Sequence, residues 1–141
     1  FSKGLPKDLM RFVPFNGGIG EEQFQWLDDV LASMPAKDRV IVTCHISTAP
    51  ASTGFSTTLW DRERLLEIFR KHPGKVCLYL SGHDHDGGYT YDFESRTHHM
   101  TVAAPIECRP GEQAWGLIDM YNDGAQVYGA GKIQDMWLSF E

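Results

Sequence analysis

The octapeptide SGHDHDGG, residues 81–88, sets two histidines two positions apart among acids and glycines. Neutral imidazole is a ligand for Mn, Fe, Zn or Co. In an extended segment residues two apart face the same way, so His83 and His85 can turn both rings to one side. Gly82, Gly87 and Gly88 let the backbone bend sharply, and Asp84 and Asp86 are close enough to orient the rings from behind. A third histidine, His45, closes another apolar run, VIVTC. Three imidazoles suffice for one zinc with an open water position. They do not hold two divalent ions without carboxylates to offset the charge. Of the acids nearby, Asp84, Asp86 and Glu107, none has a bridging position.

The elements around these rings explain how they could meet. Residues 39–44 (RVIVTC) and 75–81 (KVCLYLS) read as short strands buried on both faces. Each ends next to a histidine. Between them DRERLLEIFRKH, from Asp61, carries Leu65, Leu66, Ile68 and Phe69 on the inner side of a helix that Pro73 and Gly74 stop. A strand–helix–strand crossing makes its two strands parallel neighbours. His45 is thereby expected at the rim of His83 and His85, the carboxyl edge where open α/β sheets bind ligands. Upstream, EEQFQWLDDVLASM is a helix after the permissive NGGIG turn, with Phe24, Leu27, Val30 and Leu31 at helical spacing. Downstream, YTYDF, HHMTVAA, AWGLIDMY and AQVYGAG are strand candidates, and NDG joins the last two as a hairpin. His98 and His99 are adjacent in a strand and so point to opposite faces as packing or surface residues. His72 ends a helix, where its charge suits the dipole.

Composition bounds the rest. The chain has 141 residues, the length of one domain, with 42% hydrophobic residues and a net charge of −6. No basic stripe is present, which argues against nucleic acid. No apolar run reaches the length of a membrane span, so no membrane insertion is expected. Cys44, Cys77 and Cys108 make an odd set without CxxC spacing. They are expected to be structural thiols in a reducing, intracellular compartment, the cytoplasm first; a nucleophilic Cys44 beside His45 is the sharper alternative. The chain opens on Phe1, which points to a processed product or a fragment.

TCHIS followed by SGHDHDGG resembles the last two metal motifs of the calcineurin-like metallophosphoesterases, an isolated His and then GHxH. The ordered set FNGGIGEEQFQWLDDVL, VIVTCHI, LWDRERLLEIF, GHDHDGGY, IECRPGEQAWG and VYGAGKI is similar to the manganese-dependent ADP-ribose/CDP-alcohol diphosphatase group. That resemblance implies an α/β fold, the two-sheet αββα sandwich, and two divalent metal ions, Mn by family habit. It implies His45 and His83 on one ion and His85 on the other. It implies hydrolysis of a phosphoanhydride in a nucleoside diphosphate-linked small molecule by a metal-activated hydroxide. Trp60, in a stretch that corresponds to family positions near the nucleoside, is the candidate substrate contact; an aromatic at a helix start is otherwise core.

The departures are as informative. The family's DxH, GDxxD and GNHD or GNHE motifs do not occur here. They supply the bridging Asp, the Asn ligand, the remaining carboxylate and His, and the proton donor. No catalytic residue is therefore assigned within this chain, and residues 1–141 read as the C-terminal half of a metallophosphoesterase domain. Leaving ~400 Å² of apolar sheet uncovered costs roughly 10 kcal/mol at ~25 cal/mol per Å², comparable with a domain's whole stability. A protein chain or assembly is therefore expected to cover the sheet. The first reading is a phosphohydrolase portion completed by its N-terminal half in cis or in trans, inactive alone. The alternative is a non-catalytic structural subunit of a larger complex. An independent three-histidine zinc domain is the third.

Overall fold

The computed structural model describes residues 1–140. Helix α1 spans Glu21–Ser33 and strand β1 spans Val40–Thr43. Helix α2 spans Arg62–Lys71, followed by β2 (Val76–Ser81), β3 (Gly88–Asp92) and β4 (Thr97–Thr101). Then come β5 (Ala114–Met120), β6 (Gly124–Gly131) and β7 (Met136–Ser139). Among the described residues no helix is long and apolar enough to cross a membrane.

Two sheets form. The first has the order β1-β2-β4-β3, with β1 and β4 parallel to β2 and β3 antiparallel to β4. The parallel β1–β2 pair is what the strand–helix–strand crossing predicts. The second sheet is the antiparallel meander β5-β6-β7. Its first turn is the expected NDG hairpin, closed by a 2.8 Å bond from Tyr121 N to Gly124 O. Strand β7 is not among the predicted strands; MWLS is too short to carry a period.

Two apolar layers hold these parts. Phe24, Leu31, Leu65, Ile68 and Phe69 of the helices pack on Val76 and Tyr79 of β2. Cys77, Leu78 and Met100 of the first sheet face Ala125, Val127 and Leu138 of the second. Strand β2 serves both because the β1–β2 register slips between Val40 and Ile41, which pair with Val76 and Leu78. Cys77 is the extra residue, so Cys77 and Leu78 both reach the intersheet layer. Its thiol donates to Val40 O at 3.3 Å, and burial raises its pKa. His98 and His99 point oppositely, as adjacent strand residues must. The His98 ring lies against Tyr89, Tyr91 and Phe140, and the His99 ring against Phe69 and Tyr79. His72 does more than suit a dipole: its Nε2 meets Asp28 Oδ1 at 2.6 Å and ties α2 to α1.

The expectation that both β1 and β2 are buried on both faces holds for β2 only. Strand β1 is the sheet edge, and Ile41 on it is exposed. A β-branched run looks the same in an edge and a central strand, so its composition cannot separate them. The layers are helices, sheet, sheet. The far face of the second sheet carries Trp115, Leu117, Tyr128 and Trp137, all exposed. The register puts them on one side: Leu117 is opposite Tyr128, and Gln126, two residues from Tyr128, is opposite Trp137.

Candidate metal centre

Main-chain bonds bring the histidine loops together. Cys44 N donates to Leu80 O at 3.1 Å, and one step on Gly82 N donates to His45 O at 3.0 Å. The parallel pairing is thus prolonged past the ends of β1 and β2, and His45 comes to lie beside His83. On the far side Ala104 N donates to His85 O at 3.0 Å, which ties the loop to the end of β4. Gly87 has φ 72°, and a Cβ on it would stand 2.7 Å from Ala103 N and 2.9 Å from Thr101 O. Only glycine fits that close approach of two backbones.

Of the three predicted ligands, two converge. The rings of His45 and His83 meet edge to face with centroids 5.1 Å apart. His83 Nδ1 stands 3.3 Å from His45 Nε2. Two nitrogens held ~2.0–2.1 Å from one tetrahedral cation lie about 3.3 Å apart. The pair therefore has ligand spacing. Burial first, and then the neighbouring His45 ring, holds the His83 pKa below the ordinary histidine value, with Asp84 pulling the other way. A neutral ring is the ligand form. His83 itself takes φ 70°, the left-handed region that a non-glycine residue occupies at a cost. His85 turns elsewhere, and its Nδ1 meets Glu107 Oε1 at 2.8 Å. Among the described residues no group of three or more His, Cys, Asp or Glu side chains is arranged to hold a metal ion. What this chain presents is a pair of donors on one side and a His–carboxylate pair beside it.

The surrounding acids differ from expectation. Asp84 does not orient the histidine rings. Its Oδ2 accepts from Thr57 Oγ1 at 2.7 Å and its Oδ1 from Asp86 N at 3.1 Å. Burial works against its charge, but hydrogen bonds from Thr57 and Thr53 outweigh that and keep its pKa below the ordinary aspartate value. The group behind His83 is Asn16, whose Oδ1 lies 2.7 Å from His83 Nε2. It sits in the NGGIG turn, which the sequence marks only as backbone-permissive. No local signal marks a contact across 67 positions. Asp61 pins that turn, its Oδ2 accepting from Ile19 N at 2.7 Å and Gly20 N at 3.3 Å. Trp60 is partly exposed, at the entry to α2. Its backbone N donates to Gly17 O and its carbonyl accepts from Arg11 Nε.

An open groove of about 570 Å³ runs along the free edge of β1, lined by Trp26, Leu27, Val30, Ile41, Thr43 and His45 among others. The centre therefore sits at one end of an uncovered apolar edge.

No family model matches the chain. It is 38% identical over 133 residues to a manganese-dependent ADP-ribose/CDP-alcohol diphosphatase of Oryza sativa subsp. japonica, covering 93% of this chain and 40% of that protein. It is 40% identical to the protein of the same name from Arabidopsis thaliana, covering 93% and 42%. The fold matches the crystal structure of a dimetal phosphatase from Danio rerio with a TM-score of 0.88 and 34% identity, over 93% of this chain and 41% of that one. A structure of PhoD, at 17% identity and a TM-score of 0.53, shares the fold alone. The chain thus spans about two-fifths of the length of the curated relatives it matches.

Proposed function

We propose, from the chain's similarity over 93% of its length to part of the manganese-dependent ADP-ribose/CDP-alcohol diphosphatases, that it forms the C-terminal portion of a metal-dependent phosphohydrolase. The substrate class is a nucleoside diphosphate-linked small molecule, ADP-ribose or a CDP-alcohol, cleaved at the diphosphate. His45 and His83 are ligands to one divalent ion and His85 to the second, with manganese the expected metal. The observation that carries this reading is the 3.3 Å approach of His83 Nδ1 to His45 Nε2 at the joined ends of two parallel strands.

When bound, the ions would lower the pKa of an attacking water and offset charge on the phosphoryl oxygens. The residues of this chain supply position. His45 and His83 are held by backbone pairing, so little ordering remains to be done when a cation arrives. Glu107, 2.8 Å from His85 Nδ1, orients the ring and leaves Nε2 as the nitrogen for the ion. Trp60 offers a partly exposed ring as a candidate contact for the nucleoside. The bridging and remaining carboxylate ligands come from the polypeptide that covers the β1 edge and the outer face of the second sheet. Trp26 and Ile41 in the groove, and Leu117 and Trp137 on the sheet, are the apolar surface it buries.

AMP release from ADP-ribose with added Mn²⁺ tests the proposal. Activity is expected from this chain joined to a polypeptide carrying the carboxylate motifs, and none from this chain by itself. Turnover by this chain alone would overturn the half-site reading. A covering partner without carboxylate motifs, and no turnover in its complex, would favour the structural-subunit reading instead.

A further inference from the structure

His83 offers one ring nitrogen to His45 and the other to Asn16, and the surroundings of Asn16 decide which of the two carries hydrogen. Asn16 is buried, 6% exposed. Its Nδ2 donates to two main-chain carbonyls, Arg11 O and Ser56 O, both at 2.8 Å. Carbonyl oxygens only accept, so the amide cannot be turned round without losing both bonds. Oδ1 is therefore the atom that faces His83 Nε2 at 2.7 Å. An amide oxygen has no hydrogen to give, so Nε2 must be the donor. A neutral imidazole with hydrogen on Nε2 has its lone pair on Nδ1. That is the atom turned toward His45 Nε2.

We propose that Asn16 is a positioning residue that locks His83 in the Nε2–H tautomer and so aims an unprotonated Nδ1 at the place it shares with His45, as a ligand for a divalent cation. The inference rests on the metal reading of the His45–His83 pair given above. The lock is itself braced. Trp60 N donates to Gly17 O at 2.9 Å, while Asp61 accepts from Ile19 and Gly20. The Asn16 turn is thus fixed to the same 56–61 segment that provides Ser56 O. Asp84 cannot take over the task, because its oxygens are engaged by Thr57 and by the Asp86 amide.

Long-range proton–nitrogen correlation spectra of the ¹⁵N-labelled full chain, at mildly alkaline pH without divalent ions, read the tautomer directly. The wild-type His83 is expected to carry hydrogen on Nε2 alone. Asn16→Ala is expected to release it to a mixture of tautomers. Asn16→Asp keeps an acceptor oxygen but loses both donors, and it is expected to keep hydrogen on Nε2. A Zn²⁺ titration, with zinc as a diamagnetic probe, is expected to show about 10- to 100-fold weaker binding for Asn16→Ala, with Asn16→Asp nearer wild type. Hydrogen on Nδ1 in the wild type overturns the proposal with no variant needed. So does Asn16→Ala that changes neither tautomer nor affinity, or equal loss in the Ala and Asp variants, which would mark a merely structural role. His83→Ala separates the two claims. Unchanged Zn²⁺ affinity there refutes the metal reading, while the tautomer spectra still decide whether Asn16 orients the ring.

Discussion

The carbonyl oxygen of His45 accepts a 3.0 Å hydrogen bond from the Gly82 amide, so main chain, not the imidazoles, joins the two strand ends. The side chains of His45 and His83 are then free to serve a ligand. His45→Ala, at an exposed position, is expected to leave the chain within about 0.5 kcal/mol of wild type, as surface substitutions usually do, whereas His83→Ala strips the partner from the buried Asn16 oxygen and is expected to cost about 1–3 kcal/mol. Urea denaturation measures this. A larger loss in His45→Ala would mean that the ring contact is structural.

His99 gives the fold an acid sensitivity unconnected with the His45–His83 pair. It is fully buried on β4, with Nδ1 3.0 Å from Thr48 Oγ1 and Nε2 without a partner. Burial, the leading cause, pushes its pKa from 6.5 down to about 4, with Asp92 opposing and His98 and Arg70 reinforcing. Above 6.5 the ring is neutral folded and unfolded. As pH falls from 6.5 toward 4 the unfolded chain takes up a proton that the folded chain refuses. Stability therefore falls with pH in that window, by up to about 1.4 kcal/mol per pH unit, and this contribution levels off below it. Urea midpoints over a pH series should show a shallower decline for His99→Gln than for wild type; parallel curves would contradict the assignment.

Gly87 should tolerate no side chain. A Cβ there meets the backbone of Ala103 and Thr101 at a positive φ, so neither a rotamer change nor a small shift relieves it. Gly87→Ala is expected to cost more than about 1 kcal/mol and to loosen the loop that carries His85. Chemical denaturation reads the first effect, and amide exchange at Ala104, which donates to His85 O, reads the second.

The outer face of the second sheet should behave as an uncovered core surface. Leu117 and Tyr128 are directly opposite each other on β5 and β6, and both are exposed. Replacing both by lysine removes apolar area without opening a cavity. The variant is expected to self-associate less by light scattering, at little change in urea midpoint. It should also fail to join a polypeptide that completes the sandwich. Unaltered association would show that this face is not the sticky one.

Much of this arrangement was legible in the residues. The helical spacing of Phe24, Leu27 and Leu31 and the apolar run of β2 located α1 and the central strand. The crossing between β1 and β2 set their parallel order, because right-handed connection leaves few alternatives. What stayed hidden depends on tertiary position. Val40–Thr43 as an edge, Cys77 as a bulge and Met136–Ser139 as a third meander strand have no period to betray them. The pairings of Asn16 with His83 and of Glu107 with His85 are likewise set by folded loops. Asp84, nearest to the histidines in sequence, turned out to serve Thr57.

The most direct test of the shared site is a Zn²⁺ titration of wild type, His45→Ala, His83→Ala and the double variant, with His72→Ala as a control. His72 precedes β2 and pairs with Asp28, whereas His83 follows β2. If one cation bridges the two rings, each single variant weakens the same binding event, the double variant adds less than the sum of both losses, and His72→Ala binds as wild type. Fully additive losses, or full affinity in either single variant, would contradict the account.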